Sequence, residues 1–385
     1  MSETIERKKG GIAMKVVAFG GAGAMGKLAV KDLASREIVS EIVIADYNLE
    51  EASALARELG EKCSAVRVDA NDHRNMVAIA EGKDVALGTI GPFYKYEEKV
   101  ARACIEARVN YVSICDDYDA ADAILKLDGE AKEAGITMIT GVGWTPGITN
   151  VLAKKAADEI DEVEDIAVSW GAHASDTVGK AVTLHTMHIF AGTVPSFQRG
   201  RRVMIPAGSG WEKIRFPEPV GVVNVFHVGH PEPVTIPRVI NARSVTLKGG
   251  LVEHYFNILG KAVAGLHLTT SDRGKDILGG IMNPLLPYFE KFDRHVETAS
   301  AGRVDVTGKK GGKWVHRAYG AVAHMDILTG LPASIAIQMI GEDKIDTKGV
   351  MGPEIIPDPN EFLGRLKDGG VRFFEGDDMA TPLEL

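Results

Sequence analysis

The first residues that could carry chemistry are a histidine and a carboxylate two positions apart, His230 and Glu232, in a segment rich in proline. On a strand this spacing places both side chains on the same side of the chain. A histidine oriented by a carboxylate can accept a proton near neutral pH. We predict that the pair is catalytic. The alternative is a loop held by its prolines, in which both side chains are structural.

Two further residues follow predicted strands and are expected to reach the same cleft. Asp117 either accepts a proton and binds a substrate ammonium group, or caps the helix that follows it. We predict the catalytic role and leave the cap as the alternative. Trp144 lies in the segment that joins two predicted domains, where it forms either a wall of the substrate site or part of the core.

Histidine, arginine and cysteine supply other candidates. His185 and His188 are three residues apart on a predicted helix and share a face, but no carboxylate or cysteine lies at ligand spacing, so we predict no metal. The pair is expected to be packed or to relay a proton, and we predict that His185 contacts the substrate. Arg199 begins a basic cluster that either binds a substrate carboxylate or belongs to a solvated loop. We do not predict a thiol nucleophile at Cys115, because the two aspartates after it would raise its pKa.

A glycine-rich turn carries the most specific spacing in the chain. Gly21, Gly23 and Gly26 form GxGxxG directly after an apolar run, a helical pattern follows, and a second apolar run ends at Asp46. This order is typical of a dinucleotide-binding turn. Gly21 is expected to allow the tight turn, Gly23 the approach of a pyrophosphate, and Gly26 the packing of helix on strand. The first helical N–H groups, at Ala24 and Met25, are expected to bind the phosphates.

The residue at the end of the second strand predicts which dinucleotide binds. Asp46 would accept hydrogen bonds from the adenosine ribose and repel a 2′-phosphate, and Tyr47 and Asn48 supply no cation to offset that repulsion. We therefore predict NAD rather than NADP. Asp69 either lies near the adenine or caps the next helix. Backbone groups expected to line the nicotinamide ribose belong to Thr89, Ile90, Gly91 and Pro92.

These residues need a scaffold that brings strand ends together. Strand and helix patterns alternate from residue 15 to residue 139, which predicts a doubly wound parallel sheet of the Rossmann type. Short β-prone runs follow and predict a second α+β domain whose sheet is mostly antiparallel. An apolar helix at 331–340, with a proline in its first turn, is expected to pack on the first domain. The predicted boundaries are 14–148, 149–328 and 329–385, the last segment packing back on the Rossmann domain.

Composition narrows the functional classes. The chain has 385 residues, a net charge of −9 and three widely spaced cysteines. The negative charge argues against nucleic acid and anionic membranes as partners. The cysteine pattern fits a reducing, cytoplasmic location, and the polar residues 1–13 do not resemble a signal peptide. Exposed edges of the second sheet make a homodimer the expected assembly.

Several of these segments together resemble the saccharopine dehydrogenase-like family of reductases. The stretches that carry the resemblance are Phe19–Gly26, Gly91–Phe93, Cys104–Ala107, Tyr111–Val112, Gly147–Asn150, Gly229–Pro237 and Gly330–Ala333. The family often has an acidic residue two positions after the tyrosine, where this chain has Ser113, and the acidic residues come later, at Asp116 and Asp117.

The resemblance implies a hydride transfer at a C–N bond of an amino acid or its imine, with a saccharopine- or lysine-like substrate and a nicotinamide cofactor. Two alternatives stay open. One is a transferase or lyase that uses NAD as a redox relay, as in the homospermidine synthase relatives. The other is a non-catalytic NAD-binding sensor.

Overall fold

Two β-sheets with helices packed around them form the molecule. The computed structural model describes residues 13–176, 185, 188–253 and 298–385. The helices are α1 (Ala24–Ser35), α2 (Leu49–Leu59), α3 (His73–Ala80), α4 (Phe93–Ala107), α5 (Tyr118–Leu125), α6 (Asp128–Ala134), α7 (Ile148–Asp158), α8 (Glu232–Thr235), α9 (Met325–Gly341) and α10 (Pro359–Asp368). The strands are β1 (Met14–Phe19), β2 (Val39–Asp46), β3 (Cys63–Arg67), β4 (Val85–Gly88), β5 (Asn110–Ser113), β6 (Thr137–Ile139), β7 (Glu162–Ala172), β8 (Thr193–Gln198), β9 (Arg201–Pro206), β10 (Glu212–Arg215), β11 (Val222–His227), β12 (Ser244–Leu251), β13 (Ser300–Lys310), β14 (Lys313–Ala323), β15 (Gly349–Met351), β16 (Arg372–Glu375) and β17 (Thr381–Pro382).

The first sheet is parallel and has seven strands in the order β15-β6-β5-β4-β1-β2-β3. Its central strand β1 is apolar from Val16 to Phe19 and fully buried over that run, because helices cover both faces. The strand order reverses between β1 and β4, and ligands of such sheets bind beyond the strand ends at this point. The predicted Rossmann-type sheet is confirmed.

The second sheet has ten strands and is mixed. Its main path runs β10-β11-β12-β7-β13-β14-β16-β17, with β8 pairing with β12 and β9. The predicted mostly antiparallel sheet is confirmed, with one parallel pair, β7 and β12, in its middle. The long strands β7, β13 and β14 carry the face that lies toward the first domain, where Trp170 and Gly302 are paired.

The apolar helix α9 connects the two parts of the chain. Leu328, Ile335 and Ile337 are buried, and Ser334 and Gln338 both donate to Asp32 Oδ2 of α1, at 2.6 and 3.0 Å. Packing on the first domain is therefore as expected. The helix begins at Met325, six residues earlier than predicted, because the Met325 N–H is held by Asp176 Oδ2 at 3.0 Å.

The segment after α9 contributes to both sheets. β15 pairs with β6 in the first sheet, whereas β16 pairs with β14 in the second. The sequence pattern at 120–134 predicts one helix, whereas the structure has two, α5 and α6. Leu127 turns into the core between them, and Asp128 accepts the Val350 N–H of β15.

The spacing of apolar residues in the second domain also predicts helices at 183–190, 251–259 and 284–292. Leu251 ends β12, and the rest of the helix predicted at 251–259 lies outside the described residues after position 253, as does the whole of 284–292. Of the helix predicted at 183–190, the described residues are His185, His188, Ile189 and Phe190.

Candidate active site

A cavity of about 300 Å³ lies beyond the carboxyl ends of β1, β4, β5 and β6 and is closed on the other side by the second sheet. It brings together the glycine turn, the segment after β4, the acidic segment after β5 and side chains of β7 and the segment before α8. The residues that line it are Gly23, Ala24, Met25, Gly26, Thr89, Gly91, Pro92, Phe93, Ile114, Asp116, Asp117, Gly143, Trp144, Thr145, Pro146, Trp170, His185, Ile189, His230, Leu251, Met325 and Thr329.

The glycine turn leaves no room for side chains where α1 meets β1. A Cβ on Gly26 would lie 2.7 Å from the Gly20 carbonyl oxygen and 2.8 Å from Thr89 Oγ1. This is the close helix–strand approach predicted for Gly26. Gly21 lies in the tight turn, where a Cβ would be 2.8 Å from the Ala18 Cβ, and Gly20 before it has a positive φ, +80°. Gly20 is favoured there because an L side chain rarely adopts that conformation.

The start of α1 offers free backbone donors to the cavity. Gly23 is the N-cap and supplies no side-chain acceptor, so the first-turn N–H groups at Ala24, Met25 and Gly26 have no capping partner. All three residues line the cavity. Bare N–H groups at the positive end of a helix dipole bind phosphate, so the residues present fit a dinucleotide.

Asp46 lies beside this turn, outside the cavity wall, at the end of β2. Its Oδ2 accepts the Ala22 N–H at 3.1 Å and its Oδ1 accepts the Asn48 N–H at 3.0 Å. Tyr47 is 66% exposed, and the guanidinium of Arg67 lies 5.1 Å from its ring centroid. Arg67 is a cation that the sequence pattern does not place near Asp46. It lies on β3 and is paired with Asp46 of β2.

The other predicted cofactor residues divide into two groups. Thr89, Gly91 and Pro92 line the cavity, and Thr89 Oγ1 donates to the Phe19 carbonyl at 3.0 Å. Gly21, Tyr47, Asp69 and Ile90 lie outside the cavity wall. Asp69 accepts the Asn71 N–H, while Asp72 caps α3, so the alternative that made Asp69 the cap is wrong.

Asp117 and His185 form a buried pair across the cavity from the glycine turn. Asp117 Oδ1 lies 2.8 Å from His185 Nδ1, and its Oδ2 accepts the Tyr94 N–H at 2.9 Å. Asp117 precedes α5, yet its side chain makes no capping hydrogen bond there. Burial would raise the pKa of Asp117, but the hydrogen bond from His185 holds it below its ordinary value. Burial would lower the pKa of His185, but Asp116 and Asp117 raise it, so His185 is an imidazolium.

Asp116 completes this cluster, and the prediction did not include it among the catalytic residues. Its Oδ1 lies 3.3 Å from His185 Nδ1. The oxygens of both aspartates and His185 Nδ1 lie within 4.8 Å of one another, close enough to hold a metal. The sequence reasoning overlooked this geometry because the residues come from different segments. In the structure, His185 Nδ1 forms ion pairs with the carboxylates of Asp116 and Asp117.

His230 and Glu232 lie close together, but of the two only His230 lines the cavity. Its Nδ1 donates to the Thr145 carbonyl at 3.1 Å, and its Nε2 has no partner among the described residues. Burial, followed by the charge of His185, lowers the pKa of His230, which favours the neutral ring. The pair does not lie on a strand, because α8 begins at Glu232 and ends the extended backbone.

Glu232 lies one layer behind the cavity wall. Its Oε1 accepts the hydroxyls of Thr145 and Thr149 at 2.5 and 3.0 Å, and its Oε2 is 3.9 Å from His230 Nδ1. Burial raises the pKa of Glu232 to about 7. This position favours a role in fixing Thr145, whose carbonyl in turn orients His230.

Two tryptophans form the wall on the side of the second sheet. Trp144 and Trp170 meet edge to face with ring centroids 6.0 Å apart, and neither indole N–H has a hydrogen-bond partner among the described residues. Trp170 was not predicted. It fits because Gly249, its neighbour on β12, leaves the space that its ring fills.

Arg199 is not part of the cavity. It occupies the exposed turn between β8 and β9, two strands that the sequence reasoning did not identify. The cavity wall does not include Arg199, and a substrate contact by this residue stays a prediction. Among the described residues that line the cavity there is no arginine or lysine. No described helix is long and apolar enough to cross a membrane.

Comparisons with known proteins agree with this arrangement. Residues 16–139 match the family described as saccharopine dehydrogenase NADP binding domain. Carboxynorspermidine synthase of Vibrio alginolyticus is 24% identical over 401 residues, which cover 93% of this chain and 96% of that protein. Saccharopine dehydrogenase (NADP⁺, L-glutamate-forming) of Saccharomyces cerevisiae is 27% identical over 140 residues, which cover 36% of this chain and 30% of that enzyme.

A solved structure extends the likeness to nearly the whole fold. Apo saccharopine dehydrogenase (L-Glu forming) from Saccharomyces cerevisiae superposes with a TM-score of 0.66 at 15% identity, covering 94% of this chain and 100% of that chain. The resemblance read from the sequence is confirmed. The chain therefore has the fold of saccharopine dehydrogenase and resembles the saccharopine dehydrogenase-like oxidoreductases, and its residues 16–139 match the nucleotide-binding domain of that family.

Proposed function

We propose that the protein is an NAD-dependent oxidoreductase that acts on the C–N bond of an amino acid or its imine. The observation that carries the proposal is one cavity with a phosphate-binding helix start on one side and the Asp116, Asp117 and His185 cluster on the other. A bound nicotinamide nucleotide supplies the hydride acceptor or donor. The protein positions the substrate, transfers the proton and excludes water.

Each residue of the cavity has a role that follows from its contacts. Asp117 fixes His185 and keeps it charged, and His230 presents a neutral ring whose Nε2 is free to accept a hydrogen bond. Trp144 and Trp170 exclude water and leave two indole N–H donors for a substrate oxygen. Glu232 is a positioning residue, because it holds Thr145, whose carbonyl orients His230, and its Oε2 lies 3.9 Å from His230 Nδ1.

NAD is the cofactor that the geometry at β2 favours. The Asp46 carboxylate is anchored to the backbone on both oxygens, so it cannot turn away from an incoming 2′-phosphate without losing two hydrogen bonds. Arg67 is the one nearby cation that favours NADP, and it stacks on Tyr47. The name of the matching family refers to NADP, so the two cofactors must be compared directly.

Replacing Asp46 by asparagine is expected to shift the preference from NADH toward NADPH by about tenfold or more, since the charge is removed while the acceptor oxygen stays. The measurement is a fluorescence titration that gives the dissociation constants of NADH and NADPH. Glu50→Gln, an exposed carboxylate at the start of α2, is the matched control and should change neither constant. Tighter binding of NADPH than NADH by the unaltered protein would contradict the assignment.

A substrate screen tests the activity. Relatives are named for carboxynorspermidine, saccharopine and carboxyaminopropylagmatine, so these compounds and lysine come first. The proposal predicts NADH formation with at least one of them. Consumption of an amine without net NADH indicates the redox relay, and tight NADH binding with no reaction indicates a sensor.

We also propose a homodimer formed through an open edge of the second sheet. Among the described residues β10 has a neighbour on one side only, and Trp211 and Val222 near it are 60% and 52% exposed. An unpaired strand edge with exposed apolar side chains beside it can pair with another chain. Sedimentation should give twice the chain mass, and a monomer at micromolar concentration would contradict this assembly.

A further inference from the structure

The two neighbouring aspartates of the cavity are in different states. The side chain of Asp117 is fully buried and both of its oxygens are occupied, one by His185 and one by the Tyr94 N–H. The side chain of Asp116 keeps 32% of its surface exposed and borders the cavity, with Oδ1 3.3 Å from His185 Nδ1. Asp116 is therefore the carboxylate that a bound molecule can reach.

The charge balance of the cluster points to a cationic ligand. One imidazolium, His185, faces two carboxylates, so the cluster carries one negative charge in excess when both are ionised. The described wall contains no arginine or lysine that would cancel it. A buried excess charge is costly unless a partner arrives, and a substrate ammonium group is such a partner.

We propose that Asp116 binds the ammonium group of the substrate and accepts its proton before the C–N bond is oxidised. This inference rests on the proposed function and deepens it. The N–H bond of the ammonium breaks, its electron pair stays on nitrogen, and the proton passes to Asp116 Oδ. The nitrogen lone pair then forms the C=N bond as the adjacent carbon gives up its hydrogen with two electrons to NAD, the oxidant.

The environment of Asp116 suits a proton acceptor. Burial raises the pKa of Asp116, the neighbouring Asp117 raises it further, and His185 opposes both. A carboxylate with a raised pKa takes a proton from nitrogen more readily than an ordinary one. Asp117, whose pKa is lowered, suits the other task, which is to hold His185 in place.

Binding of n-butylamine to the complex of the protein with NADH tests the ammonium site without requiring turnover. Quenching of Trp144 and Trp170 reports occupancy. We expect Asp116→Asn to weaken n-butylamine binding about tenfold or more and to leave the NADH dissociation constant within about twofold. Asp122→Asn is the matched control, because Asp122 lies on α5 and pairs with Arg202 outside the cavity. 1-Butanol, which has no charge, should bind both proteins equally weakly.

The pH dependence of amine oxidation tests the proton transfer. Asp116 must be ionised to accept the proton, so the unaltered protein should gain activity as pH rises through the pKa of Asp116. With the amine that reduces NAD fastest, Asp116→Asn should lose this acid limb and about 100-fold in kcat. A structural defect would instead lower activity equally at every pH.

The outcomes separate this inference from the proposed function. Failure of the unaltered protein to bind n-butylamine, or equal binding by Asp116→Asn, overturns the role of Asp116. Retention of the acid limb by Asp116→Asn overturns it as well. Absence of NADH binding or of any amine-dependent NADH formation overturns the proposed function itself.

Discussion

Replacing Gly26 by valine is expected to weaken NADH binding by about 3 to 4 kcal/mol, or a few hundred-fold, because the helix start that holds the phosphates must move. A Cβ at this position would lie 2.7 Å from the Gly20 carbonyl oxygen and 2.8 Å from Thr89 Oγ1. Both neighbours are held in place, Gly20 by the turn and Thr89 by its hydrogen bond to Phe19. The strain is relieved only if α1 shifts away from β1, and the N–H groups at Ala24 and Met25 shift with it.

The measurement is a fluorescence titration with NADH, accompanied by thermal unfolding of the free protein. Gly129→Val on α6 is the matched control, because a side chain there has nothing within 4 Å and should leave affinity unchanged. Gly26→Ala serves if the valine variant does not fold, and it should lose affinity to a smaller extent. Normal NADH affinity in a folded Gly26→Val would show that the nucleotide binds elsewhere.

Glu97 is expected to make the protein less stable as pH rises from about 5 to about 8. Its carboxyl is buried in α4 and accepts hydrogen bonds from Tyr111, Ser113 and Thr140 at 2.9, 2.5 and 3.2 Å. Burial raises its pKa to about 7, and these hydrogen bonds oppose the rise. Between its ordinary value, 4.5, and about 7, the folded state keeps a proton that the unfolded state releases. The contribution of Glu97 to stability is therefore fully present below pH 4.5 and falls by about 3 kcal/mol as the pH passes through this window.

Glu97→Gln replaces the titratable carboxyl with an amide of nearly the same shape. The difference in unfolding free energy between the unaltered protein and this variant should change by about 3 kcal/mol across the window, when measured by urea unfolding at several pH values. Glu98→Gln is the matched control, since Glu98 is the next residue, is exposed and pairs with Arg102. A pH-independent difference for Glu97→Gln would mean that this carboxyl titrates normally.

The parts of the site that depend on short-range signals could be predicted from the sequence. The glycine turn is fixed by the steric needs of one strand–helix junction, and Asp46 follows from the neighbouring parallel strand. The GxGxxG spacing does not show which glycine has a positive φ, and in the structure that glycine is Gly20, one residue before the motif. Arg67 was overlooked because it reaches Asp46 only through the pairing of β2 and β3.

The parts that depend on long-range contacts could not be read from spacing. Asp117 and His185 are 68 positions apart, and Thr145 and Glu232 are 87 apart, so local patterns do not reveal either pair. The spacing of His230 and Glu232 predicts two side chains in the cleft, whereas α8 begins at Glu232 and, of the two, only His230 lines the cavity. Arg199 was assigned to the substrate because its cluster is basic, whereas the β8–β9 turn carries it to the surface.

The most direct test of the proposed hydride transfer follows a single hydrogen from the cofactor to the substrate. The protein is incubated with NADH deuterated at nicotinamide C4 on either face and with the imine of the best substrate from the screen. Direct hydride transfer predicts that one of the two labelled forms yields an amine that carries one deuterium on the carbon next to nitrogen. An amine formed without the label from either form would contradict direct hydride transfer in this cavity.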